Sequence, residues 1–365
     1  MPRPATEPAL PPAGPAALAR AFQRYGEAAA AGPSPLSGRV ALAVAGSPEA
    51  LVAISRVPAR KRQPALILAA LHDLALAGLA PGLAAAHAAA DGEAAAGAAI
   101  ETLVRLGGEV AARAARRQVR ALDAARCAVL YPAVAEAARR AGAGTAGLID
   151  LDGPASPNLQ VDRVWIDYRK GPSLGDPASP VRLSASVVGK QPIPERAMPR
   201  VAARIGLDRR PLDPASPEDA RWLRACLPPD RPDEAARLDA ILALAAPAPP
   251  LGLAGEVLEA LPAALARVPS GALPVVTTTW ALSRLAPGDR RRFLEILAGA
   301  ARERPVVWVS VEGVGVAPGV PTLGDRPASG HNIVGLALLD RDARTFVALG
   351  RCWSRGRMLA WLAGP

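Results

Sequence analysis

The chain is poor in the side chains that most often carry chemistry. Its 365 residues include three cysteines, three histidines and three lysines, and aromatics make up 3%. Cys127, Cys226 and Cys352 are far apart with no paired spacing, which excludes a zinc knuckle and a disulfide framework. Such thiols suit a reducing, cytoplasmic setting. The histidines are dispersed and form no His/Cys/Asp cluster, so no dedicated metal site is expected. A Gly-Lys-Ser/Thr phosphate loop is missing, which excludes nucleotide hydrolysis of that type. A Gly-x-Ser-x-Gly elbow is missing too, which removes an α/β-hydrolase. Long apolar runs are also lacking. The most hydrophobic window, PALILAALHDLALAGLAPGLAAAHAAA, is interrupted by His72, Asp73 and Pro81, so it reads as a buried helix pair and not as a membrane span. The N-terminus, MPRPATEPALPPAGPAALARAF, is proline-rich without the continuous apolar core of a signal peptide.

What is abundant is small or basic. Half of the residues are apolar, which excludes a disordered chain, and 37.4 kDa suits two domains. Alanine supplies close to a quarter of the chain, so the core must come mostly from Leu, Val and Ile in closely approaching helices. Arginine outnumbers lysine 40 to 3, and the net charge is +10. The arginines are scattered in ones and twos without interleaved aromatics. They read as a solvated surface, and nucleic acid is not the expected partner.

Residues 1–14 read as a disordered tail and 15–142 as an all-α domain. Ser47-Pro48-Glu49 predicts an N-cap, a first-turn proline and an acidic first turn. The long helical stretch that ends in RCAVLYPAVAEAARR is expected to break near Pro132. From 143 to 365 the texture is α/β. The strand-like runs AGLIDLD, RIGLD, LGLAG, LPVVTTTW and PVVWVSVEG alternate with amphipathic helices, which predicts a mostly parallel sheet covered on both faces. IVGLALLD and TFVALGRCW, joined by a tight turn, predict an antiparallel hairpin at the end. VWIDYRK and VRLSASVVG predict a further hairpin inserted after the first strand.

Ligands of open parallel sheets sit beyond the carboxyl ends of the strands. The first strand ends in LIDLDGPASPNLQVDR, with Asp150 and Asp152 at the mouth, Gly153 in the turn, and Ser156-Pro157 placed to open a helix before Asn158. After the fifth strand, Glu312 and His331 bracket a long segment without a clear element. If they converge, they offer a carboxylate and a base that titrates near neutrality. His72 and Asp73 in an apolar helix are second-rank candidates, since a buried histidine there is more often a hydrogen-bonded core residue.

The blocks QPALILAALHDL, RCAVLYPAV, LIDLDGPASPNLQVDRVWIDY, RIGLDRRPLDP, ARWLRACLPPD, LPVVTTTWALS, VVWVSVEGVGV and GRCWSRGRMLAWL, in this order, resemble an uncharacterised bacterial family, domain of unknown function 2332. The turn after LIDLD in that family looks like the first nucleotide-binding loop of S-adenosylmethionine-dependent methyltransferases. The resemblance implies a Rossmann-like, methyltransferase-type α/β fold behind the helical domain. It implies S-adenosylmethionine as cofactor and a small molecule as substrate. Asp150, Asp152, Gly153, Ser156 and Asn158 would then lie at the cofactor turn. Asp208 would meet the ribose and Glu256 the adenine, and Thr277, Thr278, Thr279 and Trp280 would lie near the point of transfer, Thr278 among the cofactor contacts, with His331 and Glu312 as catalytic groups. The chain departs from the family at Asp152 and Ser156, where relatives usually carry glycine, and at Arg120 and Leu122, where they often carry Gln and Asn. Asp123 and Arg126 match it. The alternative is a catalytically degenerate Rossmann-like binding or interaction protein.

Overall fold

A computed structural model describes residues 14–364, so the tail expected over 1–14 lies, but for Gly14, outside the described residues. Contacts divide the chain into two compact units, one of residues up to Ala121 together with Pro217–Asp239, the other of Leu122–Ser216 and Ala240 onward.

The first unit is helical. Its elements are α1 (Pro15–Ala30), α2 (Pro35–Gly46), α3 (Pro48–Ile54), α4 (Pro64–Leu76), α5 (Pro81–Ala88) and α6 (Gly92–Arg116). Five of these open on proline, whose fixed φ suits the first turn and whose missing N–H costs nothing there. The Ser47 hydroxyl accepts from the Ala50 amide, as the sequence predicts. The apolar window is two helices, α4 and α5, and no single helix among the described residues is long and apolar enough to cross a membrane.

The predicted break near Pro132 falls elsewhere. The chain leaves the helix after Arg116 and enters α7 (Cys127–Arg140), which runs through Pro132. Asp123 accounts for the new start, because its carboxylate accepts from the Ala125 amide and caps a short turn ahead of α7. Proline inside a helix strands the carbonyl four residues earlier. Here that carbonyl, of Ala128, accepts from the buried Tyr168 hydroxyl, so the helix continues.

The second unit is built on one eleven-stranded mixed sheet. In chain order its elements are β1 (Thr145–Asp150), β2 (Trp165–Arg169), β3 (Ser173–Gly175), β4 (Arg182–Val187), β5 (Arg200–Asp208), α8 (Pro217–Ala225), α9 (Pro232–Ala245), β6 (Leu251–Ala254), α10 (Val257–Arg267), β7 (Leu273–Thr279), α11 (Pro287–Ala300), β8 (Val306–Gly313), β9 (Asn332–Leu339), β10 (Arg344–Trp353) and β11 (Met358–Trp361). Of these, α8 and the first part of α9 belong to the helical unit. The strand order is β3-β2-β4-β11-β10-β9-β8-β7-β1-β5-β6.

The five strands predicted from β-rich runs, β6-β5-β1-β7-β8, are mutually parallel, and β9 and β10 form the predicted antiparallel hairpin. The inserted pair differs from its prediction. β2 and β4 run parallel, β3 is the antiparallel partner of β2, and β4 joins β11. A hairpin pattern in sequence cannot distinguish these, because the extra strand β3 is only three residues long.

Side-chain alternation sends Leu148, Val275, Val307 and Val309 to the face packed by α7. It sends Ile149, Val276, Val306 and Trp308 to the face packed by α10 and α11, where Phe293 meets Trp308 edge-on at 5.2 Å. Tyr168→Phe, which strands the Ala128 carbonyl in the core, is expected to destabilise the protein by about 1–3 kcal/mol. Urea unfolding of the two proteins measures it.

Candidate functional site

β1 lies between β5, which follows it, and β7, so the sheet changes winding direction at β1. The crevice beyond the ends of β1 and β7 is therefore where ligands of this architecture are sought. Asp150 ends β1 there and is 1% exposed. Its register partner is Thr277, so the two side chains share a face, and the Thr277 hydroxyl donates to Asp150 Oδ2 at 2.6 Å. Asn158 Nδ2 donates to the same oxygen at 2.8 Å, and the Asp152 amide donates to Oδ1 at 3.0 Å. Burial, and then the neighbouring Asp152, push the Asp150 carboxyl above the ordinary carboxylate range against these three donors.

Thr279, two residues on and therefore on the same face, extends the network. Its Oγ1 accepts from Asn158 at 3.0 Å and from the Arg126 guanidinium at 3.1 Å. Arg126 also pairs with Asp152 at 2.7 Å, and Arg284 meets the other oxygen of Asp152 at 2.7 Å. The Arg126 guanidinium lies over the Trp280 ring, 5.1 Å from its centroid. Trp280 has φ +55, and its indole N–H donates to Asn332. Two arginines thus share one carboxylate at the mouth of the crevice, and one of them is stacked on an indole.

The turn after β1 is folded back on the sheet. Gly153 has φ +89, a conformation that side chains disfavour. The turn's backbone rests directly on Gly206 of β5, where a Cβ would come within 2.1 Å of Gly153 C and Pro154 N. The Pro154 ring lies against Gly252 of β6. Ser156 caps as predicted, its hydroxyl accepting from the Asn158 amide, but the segment Pro157–Arg163 is a 3-10 helix.

Asp208, at the end of β5, accepts from the Arg210 amide at 2.8 Å and faces Gly153. Glu256 is half-exposed and pairs with Arg209 at 2.6 Å. Asp150, Asp152 and Asn158 are therefore in one network. Gly153 and Ser156 shape its turn. Asp208 lies beneath that turn, and Glu256 is engaged apart from it.

Thr278 points to the opposite face from Thr277 and Thr279 and accepts from the Trp308 indole N–H. Glu312 is on that face as well. It is fully buried, and its Oε1 accepts from the amides of Ala281 and Leu282, both at 2.9 Å. Burial pushes its carboxyl up to about 7 against the pull of those amides. His331 takes a different partner, Asp325 at 2.8 Å, which Arg351 holds through two further bonds.

His72 and Asp73 belong to the helical unit. His72 meets the Leu227 carbonyl, and buried Asp73 sits between Arg113 and Arg221. The three cysteines are unpaired, and burial pushes their thiols up, Cys226 to about 11 and Cys352 to about 12.

Sequence reasoning named Thr277, Thr278, Thr279 and Trp280 together, without dividing them between the faces of the sheet, and it missed Arg284. The missing signal is strand register. Once Asp150 is opposite Thr277, period-two alternation selects 277 and 279. Arg284 lies on a short turn, and nothing local marks it.

Gly206→Ala, which drives a methyl group into the Gly153–Pro154 backbone, is expected to cost at least about 1–3 kcal/mol, read by thermal or urea unfolding. For Glu312 the folded protein binds the proton more tightly than the unfolded chain, so its contribution to stability falls as pH rises from about 4.5 through about 7. The stability of Glu312→Gln relative to wild type is therefore expected to improve over that interval. A difference that stays flat from pH 5 to pH 8.5 contradicts the assignment.

Neither a curated protein nor a solved structure matches the chain. The family described as an uncharacterized protein conserved in bacteria, domain of unknown function 2332, matches residues 19–361. Over nearly its whole length, then, the chain belongs to that family.

Proposed function

We propose that the α/β unit is a Rossmann-like small-molecule-binding domain of methyltransferase type, working without S-adenosylmethionine at the usual place. One observation carries this reading. The segment Gly153–Pro154 lies across Gly206 and Gly252, over the ends of β5 and β6, where a methyltransferase keeps ribose and adenine. The Asp208 carboxylate that would hold ribose hydroxyls is bonded to the Arg210 amide, and Glu256 is paired with Arg209. The polar groups left at the mouth are Arg284, Asp152 and Trp280 beside Arg126, over the β1–β7 crevice. A small polar molecule that exchanges for part of the Arg–Asp pairing fits that composition.

A second reading, an active methyltransferase acting on a small molecule, has its own support. The parallel order β6-β5-β1-β7-β8 is that of the methyltransferase frame, with acidic residues at or just beyond the ends of β1, β5 and β6. A fold alone does not establish activity.

Titration calorimetry of the full chain with S-adenosylmethionine and S-adenosylhomocysteine separates the two. No binding at millimolar ligand is expected. Saturable binding that Asp208→Ala weakens roughly tenfold, about 1.4 kcal/mol, overturns the first reading in favour of the second.

A further inference from the structure

The turn that carries Trp280 and Arg284 is held at both ends by buried or half-buried charge. After β7 the chain bends through Trp280 in the left-handed region and makes a 3-10 turn over Leu282–Arg284. On one side, the single oxygen Oε1 of Glu312 accepts from the Ala281 and Leu282 amides, the donors at the turn's start. On the other, Arg290 of α11 donates to the carbonyls of Leu282, Ser283 and Leu285. A carboxylate on the leading amides and a guanidinium on the trailing carbonyls both match the turn's dipole. Trp280 is further tied by its own amide to the Val311 carbonyl, one residue before Glu312. Both groups the turn displays face the β1–β7 crevice, Trp280 against Arg126 and Arg284 against Asp152.

We propose that Glu312 is a proton-operated positioning residue: ionised, it fixes the turn that presents Trp280 and Arg284 to the crevice, and protonated, it lets that turn loosen. The chemistry is a change in bond strength without a change of partners. Hydrogen bonds to an ionised acceptor are roughly twice as strong as those to a neutral one. Oε1 can keep both amides as a neutral carbonyl oxygen because Oε2, which makes neither of those two bonds, can take the proton.

The charged groups around the turn are Arg284 on the turn itself, Arg290 from α11, and Asp150 and Asp152 from the end of β1. Asp325, His331 and Arg351 are engaged with one another. Arg284 favours the ionised carboxylate and is itself paired with Asp152. Whatever molecule occupies the crevice and competes for Asp152 therefore acts on the same equilibrium. Glu312 thus serves the crevice through the turn and touches no reacting atom.

The test is the full chain labelled with 5-fluorotryptophan, with the Trp280 fluorine signal assigned from Trp280→Phe. Between pH 5.5 and pH 8.5 that signal is expected to shift with a midpoint near 7. In Glu312→Gln the same signal is expected to stay at its low-pH position throughout. In wild type, the exchange of the Ala281 and Leu282 amides, corrected for the intrinsic pH dependence, is expected to slow severalfold from the bottom of that range to the top. Arg284→Gln is expected to move the midpoint upward. A Trp280 signal that does not titrate in wild type overturns the proposal, and so does one that titrates unchanged in Glu312→Gln. If Glu312→Gln does not fold, the wild-type amide exchange decides, and exchange at Ala281 and Leu282 that is independent of pH after correction overturns the proposal.

Discussion

The constraint on which the α/β unit depends is the need to satisfy one carboxylate, Asp150, at the end of β1, the middle one of the five parallel strands. A buried carboxylate without partners costs several kcal/mol or takes up a proton. Asp150 finds its donors on three segments, Thr277 on β7, Asn158 in the 3-10 helix and the amide of Asp152 in the turn. Satisfying Asp150 therefore ties the loop after β1 down on the sheet. The same loop lays Gly153 and Pro154 on Gly206 and Gly252. The occupied strip over β5 and β6 and the buried acid are two aspects of one arrangement.

Alternation along β7 divides the chemistry between the two faces of the sheet. Thr277 and Thr279 serve Asp150, Asn158 and Arg126 on the α7 face, while Thr278 and Glu312 lie among the apolar side chains under α10 and α11. Two acidic groups with raised protonation ranges thus sit on opposite sides of one sheet edge. The turn Trp280–Arg284 is the link between them. Its amides are bonded to Glu312 from below, and its side chains meet Arg126 and Asp152 from above.

Much of this was legible in the chain. The β-rich runs gave five parallel strands and the closing hairpin because each is bounded by turn residues and separated by an amphipathic helix. Asp150, Asp152 and Asn158 were found because a strand followed by a small-residue turn marks the mouth of such a sheet. Pro132 misled, since a proline breaks a helix only if the stranded carbonyl stays unsatisfied, and Tyr168, 36 residues away, satisfies it. The pairing of β2 with β4 was hidden because period-two patterning carries no direction. That Glu312 and His331 bracket one loop left open whether they converge, and each end is engaged by its own partner, the Ala281 and Leu282 amides and Asp325.

By itself the sequence determined where helices and strands begin, through prolines, caps and hydrophobic period, because these are local free energies set within a few residues. It also determined the family, through several blocks in one order. Only the tertiary structure decided which carboxylates are buried and what they hold. That depends on register across strands and on residues such as Arg126, Thr279 and Arg284, brought together from up to 158 positions apart along the chain. Burial and the charges of neighbours in space set a group's protonation, and both are absent from a linear pattern.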